Sequence, residues 1–122
     1  MRAQAHFTIK RGRIALDLRV LRQGTDAQCL LSGGDAHIGA AALAWLEADG
    51  TQSRLACRPG HREDEIALHM AQRLALGLGC AVCVSAGIHF DGITREEIRL
   101  VEEMAETLGG QCLEFFSGGL PA

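Results

Sequence analysis

The segment Ile14-Ala15-Leu16-Asp17-Leu18-Arg19-Val20 constrains the fold more than any other stretch of the chain. Its apolar residues fall at every second position with Asp17 and Arg19 between them, the period of a strand with one buried and one wet face. Glycine turns bound it: Arg11-Gly12-Arg13 before, and the hairpin-type Gln23-Gly24-Thr25-Asp26 after. Residues 6–10 alternate more weakly ahead of the first turn, and the short apolar run 29–32 follows the second. The first third of the chain therefore reads as strands.

Residues 38–48 suit either a helix or a buried strand, and their alanines favour the helix. The Asp49-Gly50 turn signal, followed by residues 53–57, decides for a two-stranded ribbon that Arg58-Pro59-Gly60 ends. Helical spacing begins next. Over residues 62–78, Ile66, Met70, Leu74 and Leu78 fall four apart on one face, and Glu63, Asp64 and Glu65 suit the positive amino end. Gly79 closes this helix, and residues 80–86, apolar and bounded by glycines, read as a central strand flanked on both faces. Thr94-Arg95-Glu96-Glu97 is a capping box opening a helix with Ile98, Val101, Ala105 and Leu108 inward. The pattern predicts that Gly109-Gly110 stops it and that residues 112–116 form a last strand. The expected fold class is α/β: a mixed, largely antiparallel sheet of about six to seven strands with two helices packed on it, residues 1–122 making one domain.

A chain of 122 residues, 48% hydrophobic, has enough apolar side chains for one core. Its formal charge of −3 sets Lys10 and eleven scattered arginines against fifteen acids, and Trp45 with four phenylalanines are its only aromatics. Neither a basic stripe nor a stacking platform results, which argues against a nucleic-acid partner. No apolar run approaches the roughly 20 residues of a membrane span, and the first residues lack the apolar segment of a signal peptide, so the expectation is a cytoplasmic protein with no membrane partner. Five cysteines, Cys29, Cys57, Cys80, Cys83 and Cys112, are an odd number, which favours reduced thiols acting as small hydrophobes. Cys80 and Cys83 have redox-motif spacing, but they begin a strand rather than a helix, which favours core packing.

Three loops repeat one chemistry: Gly33-Gly34-Asp35-Ala36-His37-Ile38-Gly39, Gly60-His61-Arg62-Glu63-Asp64 and Gly87-Ile88-His89-Phe90-Asp91-Gly92. Each sets a histidine beside glycine and an acid, and the first and third follow strands at their carboxyl ends, where α/β sheets bind ligands. Ordinary turn chemistry explains the aspartates but not the trio of histidines. If His37, His61 and His89 converge, they suit a zinc ion with an open water position, with Asp35, Glu63 or Asp91 as ligand or base, although their spacing is not that of familiar zinc motifs. Arg62, at a helix start, is placed to grip a phosphate, with a solvated surface role as the alternative. Neither a Walker motif nor the dinucleotide fingerprint is present.

Taken in order, Gly-Gly-Asp-x-His-Ile-Gly, Gly-His-Arg-Glu-Asp-Glu and Ala-Gly-Ile-His-Phe-Asp before Ile-Thr-Arg-Glu-Glu-Ile resemble the prenylated-flavin chaperone family, the small D-type accessory subunits of gallate-type hydroxyarylic acid decarboxylases. The likeness runs from about residue 14 to residue 108. The resemblance implies a fold similar to proteasome-assembly chaperones, a homodimer, and a cytoplasmic protein with no catalytic residue of its own. Such a protein binds prenylated FMN, or FMN, and assists its loading into the apo form of a large decarboxylase. The implied site joins the backbone amides of Gly33, Gly34 and Gly39 and the Arg62 side chain, for the phosphate, to His37, His61 and His89, for the ring or ribityl hydroxyls, with Asp35, Glu63 and Asp91 beside them. One departure is that the turn Asp49-Gly50-Thr51-Gln52 is shorter than the family pattern. Two other classes stay open on the residues alone: a small zinc enzyme using the three histidines, and a structural assembly factor with no ligand.

Overall fold

The computed structural model describes residues 3–120; the outermost two residues at each end of the expected domain lie outside the described residues. Six strands and two helices follow in the order β1 (Ala3–Arg11), β2 (Ile14–Gln23), β3 (Asp26–Gly34), β4 (Ala40–Glu47), β5 (Gly50–Cys57), α1 (Asp64–Leu78), β6 (Val82–His89) and α2 (Arg95–Phe115). The strands form one mixed sheet in the order β1-β2-β3-β6-β4-β5. Only β3 and β6 are parallel, with Cys29 beside Val84 and Leu31 beside Ala86; the other neighbours are antiparallel. This is the expected mixed, largely antiparallel α/β class, and the early meander and the Asp49-Gly50 hairpin lie where the turn signals put them.

Period two becomes burial directly. Ile14, Leu16, Leu18 and Val20 of β2 are all 2% exposed or less, and the same face continues through Cys29 and Leu31, Val82, Val84 and Ala86, and Ala40, Ala42 and Ala44. Both helices cover this face. The alanines of β4 are matched by Ala67, Ala71 and Ala75 on α1, which packs on β4 and β6, so small side chains on both elements permit close approach. On the other face Leu30 and Leu43 remain exposed, and the Arg54 guanidinium lies 5.5 Å from the centre of the Trp45 ring. The expectation that the strand near residue 84 is flanked on both faces is thus corrected: β6 alternates, and Cys83 and Ser85 are only half-buried on the uncovered side.

A second correction concerns the end of the chain. Residues 112–116 are not a strand, because α2 runs through Gly109 and Gly110 to Phe115. The glycines do not stop it because they sit at a helix crossing. A Cβ on Gly109 would lie 3.0 Å from Arg73 Nη1, and one on Gly77 of α1 would collide with Leu113. Arg73 Nη1 also donates to the Glu106 carbonyl at 2.9 Å. Close packing there offsets the intrinsic cost of glycine in a helix, about 1 kcal/mol per residue. Further along, Phe115 meets Phe7 edge-on, with centroids 5.6 Å apart. The other end of α2 carries the expected capping box: Thr94 Oγ1 accepts from Glu97 N, and Glu97 Oε1 accepts from Thr94 N.

Thiols in this core are inert. Burial pushes the Cys29 thiol far up and carries that of Cys112 to about 11, so both pack as small hydrophobes, and all five cysteines are free.

Candidate functional site

The parallel pair β3 and β6 end at the same edge of the sheet, where β4 begins, β5 ends and both helices start. Three loops meet there. Asp35 N donates to the His89 carbonyl at 3.0 Å and Gly39 N to the Ala86 carbonyl at 2.9 Å, tying the first loop to β6. Arg58 N donates to the Gly39 carbonyl at 2.8 Å and Arg58 Nη1 to the Ile38 carbonyl at 2.9 Å, tying the second loop to the first. Gly87 is required for this closeness, since a Cβ there would overlap the His37 backbone.

Within this knot His37, His61 and Glu63 converge. Glu63 N-caps α1, yet its side chain makes no cap hydrogen bond. The carboxylate turns inward instead, into space that a Cβ on Gly39 would fill, and the residue is only 7% exposed. Its Oε1 accepts from Arg62 N at 3.0 Å and its Oε2 from Ile88 N at 3.2 Å. His37 Nε2 lies 2.7 Å from Glu63 Oε2 and 3.1 Å from His61 Nδ1, and His61 Nδ1 is 3.7 Å from Glu63 Oε1. The other nitrogen of His37, Nδ1, is 3.1 Å from the Asp35 carbonyl, which can only accept, so Nδ1 carries a proton.

The third histidine is arranged differently. His89 stands edge-on to His37, ring centroids 6.4 Å apart, and its Nε2 pairs with Asp91 Oδ1 at 3.0 Å in the open. Asp35, His89 and Asp91 form an outer group, all three exposed. Gly33 and Gly34 are not brought to the histidine cleft: they line a separate depression with Lys10, Asp17 and Ser32. Gly33 there packs beneath Leu16 and Phe90, and Gly34, at φ +62°, passes against the His89 carbonyl. Arg62 lies on the cleft wall, but its backbone N–H is already given to Glu63.

A cleft of about 720 Å³ opens from the cluster along the amino ends of both helices. His37, His61, Glu63 and His89 stand at its head, and Ile66, Ile88, Ile93, Ile98 and Val101 give it an apolar wall. The residues that sequence reasoning missed are these isoleucines and the valine, since nothing in their spacing says that two helices, a strand end and a loop share a cavity. Ile98, expected inward, is 37% exposed because it faces the cleft. Cys57 is no activated nucleophile: desolvation, then the charges of Asp64 and Glu63, raise its thiol, and its Sγ donates to the His61 carbonyl at 3.4 Å.

A family model described as the prenylated flavin chaperone LpdD-like domain matches residues 10–117. No curated protein matches the chain. Among solved structures the chain is similar to one in the crystal structure of a novel chaperone complex for yeast 20S proteasome assembly, with a TM-score of 0.58 and 14% sequence identity over 90% of this chain and 94% of that one. At that identity the likeness concerns the fold, which is that of a proteasome assembly chaperone.

Proposed function

Since this chain belongs to the prenylated flavin chaperone LpdD-like family, we propose that it binds prenylated FMN in the cleft at the amino ends of α1 and α2 and assists its loading into the apo form of a large decarboxylase. The flavin is cargo in this reading, and no catalytic step is assigned to the chain. It acts as a cytoplasmic homodimer, as the family resemblance implies; among the described residues no helix is long and apolar enough to cross a membrane.

The observation that carries the reading is the composition of the cleft. Its volume of about 720 Å³ falls within the roughly 300–1,000 Å³ usual for cofactor sites. Branched apolar side chains on one wall suit a flat ring system, and three imidazoles at its head offer donors and acceptors to ring or ribityl oxygens. Arg62 at the rim supplies a fork for the phosphate. Gly39 and Gly87 serve by holding the loops close, Asp35 by orienting His37 through its carbonyl and Asp91 by orienting His89. Gly33 and Gly34 belong to the same loop without lining the cleft.

Co-expression with a flavin prenyltransferase, followed by native mass and absorbance of the purified protein, tests the proposal. The expected result is a mass shift of one prenylated FMN per chain, absent without the prenyltransferase. His89→Ala, which removes an exposed side chain, should weaken flavin binding about tenfold, the value of one lost hydrogen bond, with an unchanged circular dichroism spectrum. His37→Ala should weaken it at least as much. Protein at apo mass, with no measurable affinity for added flavin, would refute the reading.

A further inference from the structure

The inner cluster has a ligand geometry that flavin binding does not require. We propose that His37 Nε2, His61 Nδ1 and the Glu63 carboxylate form a three-ligand site for one divalent transition-metal ion of the zinc class, its open coordination position facing the cleft. The three ligand atoms lie within 4.8 Å of one another. The two imidazole nitrogens are 3.1 Å apart, and the carboxylate approaches them through different oxygens, Oε2 at 2.7 Å from His37 Nε2 and Oε1 at 3.7 Å from His61 Nδ1, distances that bracket the roughly 3.3 Å between neighbouring ligands in a tetrahedral site with bonds of about 2.0 Å.

Hydrogen-bond accounting supplies the second argument. His37 Nδ1 spends its proton on the Asp35 carbonyl, which leaves Nε2 of the neutral ring as a lone pair. That lone pair faces Glu63 Oε2, which already accepts from Ile88 N, and Nδ1 of a second imidazole. With His37 neutral, a proton on His61 Nδ1 satisfies the 3.1 Å contact but leaves the 2.7 Å approach of Nε2 to Glu63 Oε2 without one, so a cation is needed there, either a proton or a metal ion. A proton on Nε2 serves one contact well, whereas a metal ion serves all three. The outer arrangement is also that of a metal site: ligating histidines commonly donate their remaining N–H to a carbonyl, and the ligating carboxylate here is held by two backbone amides.

Charge along the cleft agrees. Its lining carries Glu63, Asp64, Glu65 and Glu102 against the single arginine Arg62. A cation at its head offsets that excess, and all three ligands line the cavity, so an incoming anionic or neutral oxygen has access to the open position. His89 is not a ligand: its ring stands apart, paired with Asp91. The sequence offered a three-histidine zinc site only as an alternative, with Glu63 among the acids beside it; the geometry instead groups two histidines with Glu63.

This inference stands apart from the flavin reading, and its test uses the metal alone. Protein stripped with chelator and dialysed is titrated with Zn²⁺ by calorimetry and with Co²⁺ by visible absorption. One equivalent per chain is expected, with the d–d bands of a low-coordinate Co²⁺ site. His61→Ala and Glu63→Gln should each weaken Zn²⁺ binding by more than roughly 100-fold, beyond the loss that an outer partner causes, while His89→Ala leaves it unchanged. Because the first two substitutions touch a packed cluster, the unmodified protein gives a second readout: stoichiometric Co²⁺ should broaden the imidazole NMR signals of His37 and His61. No stoichiometric binding, affinity unmoved by His61→Ala and Glu63→Gln, or broadening centred on His89 instead would each overturn the assignment.

Discussion

Two groups built from imidazoles and carboxylates stand side by side at one end of the sheet, and they differ in almost everything but that chemistry. The inner group, His37, His61 and Glu63, has side chains 24%, 26% and 9% exposed; in the outer group His89 and Asp91 are 54% and 91% exposed. Glu63 receives two backbone N–H groups and an imidazole, whereas the Asp91 side chain has one partner, His89. An exposed pair such as His89–Asp91 contributes about 0–1 kcal/mol, while a buried carboxylate must be fully partnered or its burial costs several times that. Backbone makes the difference: Gly39 leaves room for the inner carboxylate, and Gly87 lets the His37 segment lie on β6. The same two chemical groups thus become a packed cluster in one place and a solvated rim in the other.

The contrast breaks most readily at Gly87. A Cβ there overlaps the His37 carbonyl, a backbone atom that cannot rotate away, so Gly87→Ala must push the whole residue 35–39 loop off the sheet. Urea unfolding should show a loss of about 3 kcal/mol, at the upper end of overpacking costs. A loss below about 1 kcal/mol would mean that the inner group does not depend on this contact. Next in size is Glu63→Gln. Arg62 N and Ile88 N donate to different carboxylate oxygens, and in glutamine one of these becomes an NH₂ facing a donor, so about 2 kcal/mol should be lost, measured in chelator-treated protein. Asp91→Asn, the matched change in the outer group, should fall within about 0.5 kcal/mol of zero. Equal costs for the two substitutions would erase the distinction between the groups.

How much of this was legible in sequence depends on whether the deciding interaction is local. Period two in β2, the Asp49-Gly50 hairpin and the Thr94 capping box are each fixed by residues within a few positions of one another, and all three are found in the structure. The helical fate of residues 112–116 is not local. It depends on Gly109 meeting Arg73 and on Phe115 meeting Phe7, contacts between elements far apart in the chain, so local stop signals misled. At the site, the His-Gly-acid repetition pointed to three loops that meet at one sheet edge, but nothing nearby says which acid turns inward. The one usable clue is that glutamate is a poor N-cap: at the start of α1 it occupies a position that serine, threonine or aspartate would fill better, and its side chain is free for another task. The apolar wall of Ile66, Ile88, Ile93, Ile98 and Val101 carried no such clue, because helical spacing cannot tell a core face from a cleft face.

Burial is one route to a held carboxylate, and Glu97 shows that hydrogen-bond number is another. It lies near the outer group, part-exposed, yet it accepts from Arg13 Nε and Nη2 at 2.8 and 2.9 Å and from Thr94 N at 3.1 Å. Arg13, foremost, and then Thr94 hold its carboxyl down at about 2, against an ordinary 4.5. A carboxyl lowered on folding stabilises the native state fully above its unfolded value and loses that contribution as pH falls through the folded one. The Glu97 contribution is therefore complete above about pH 4.5 and disappears progressively towards pH 2. Arg13→Ala removes the largest cause, so NMR titration should find the Glu97 carboxyl returning towards 4.5, and the urea midpoint of the variant should fall less steeply between pH 4.5 and 2 than that of the unmodified protein. The effect on stability at pH 7 should be the smallest of the series, because solvent screens the pair. A Glu97 titration unmoved by Arg13→Ala would mean that the capping box alone holds this carboxylate.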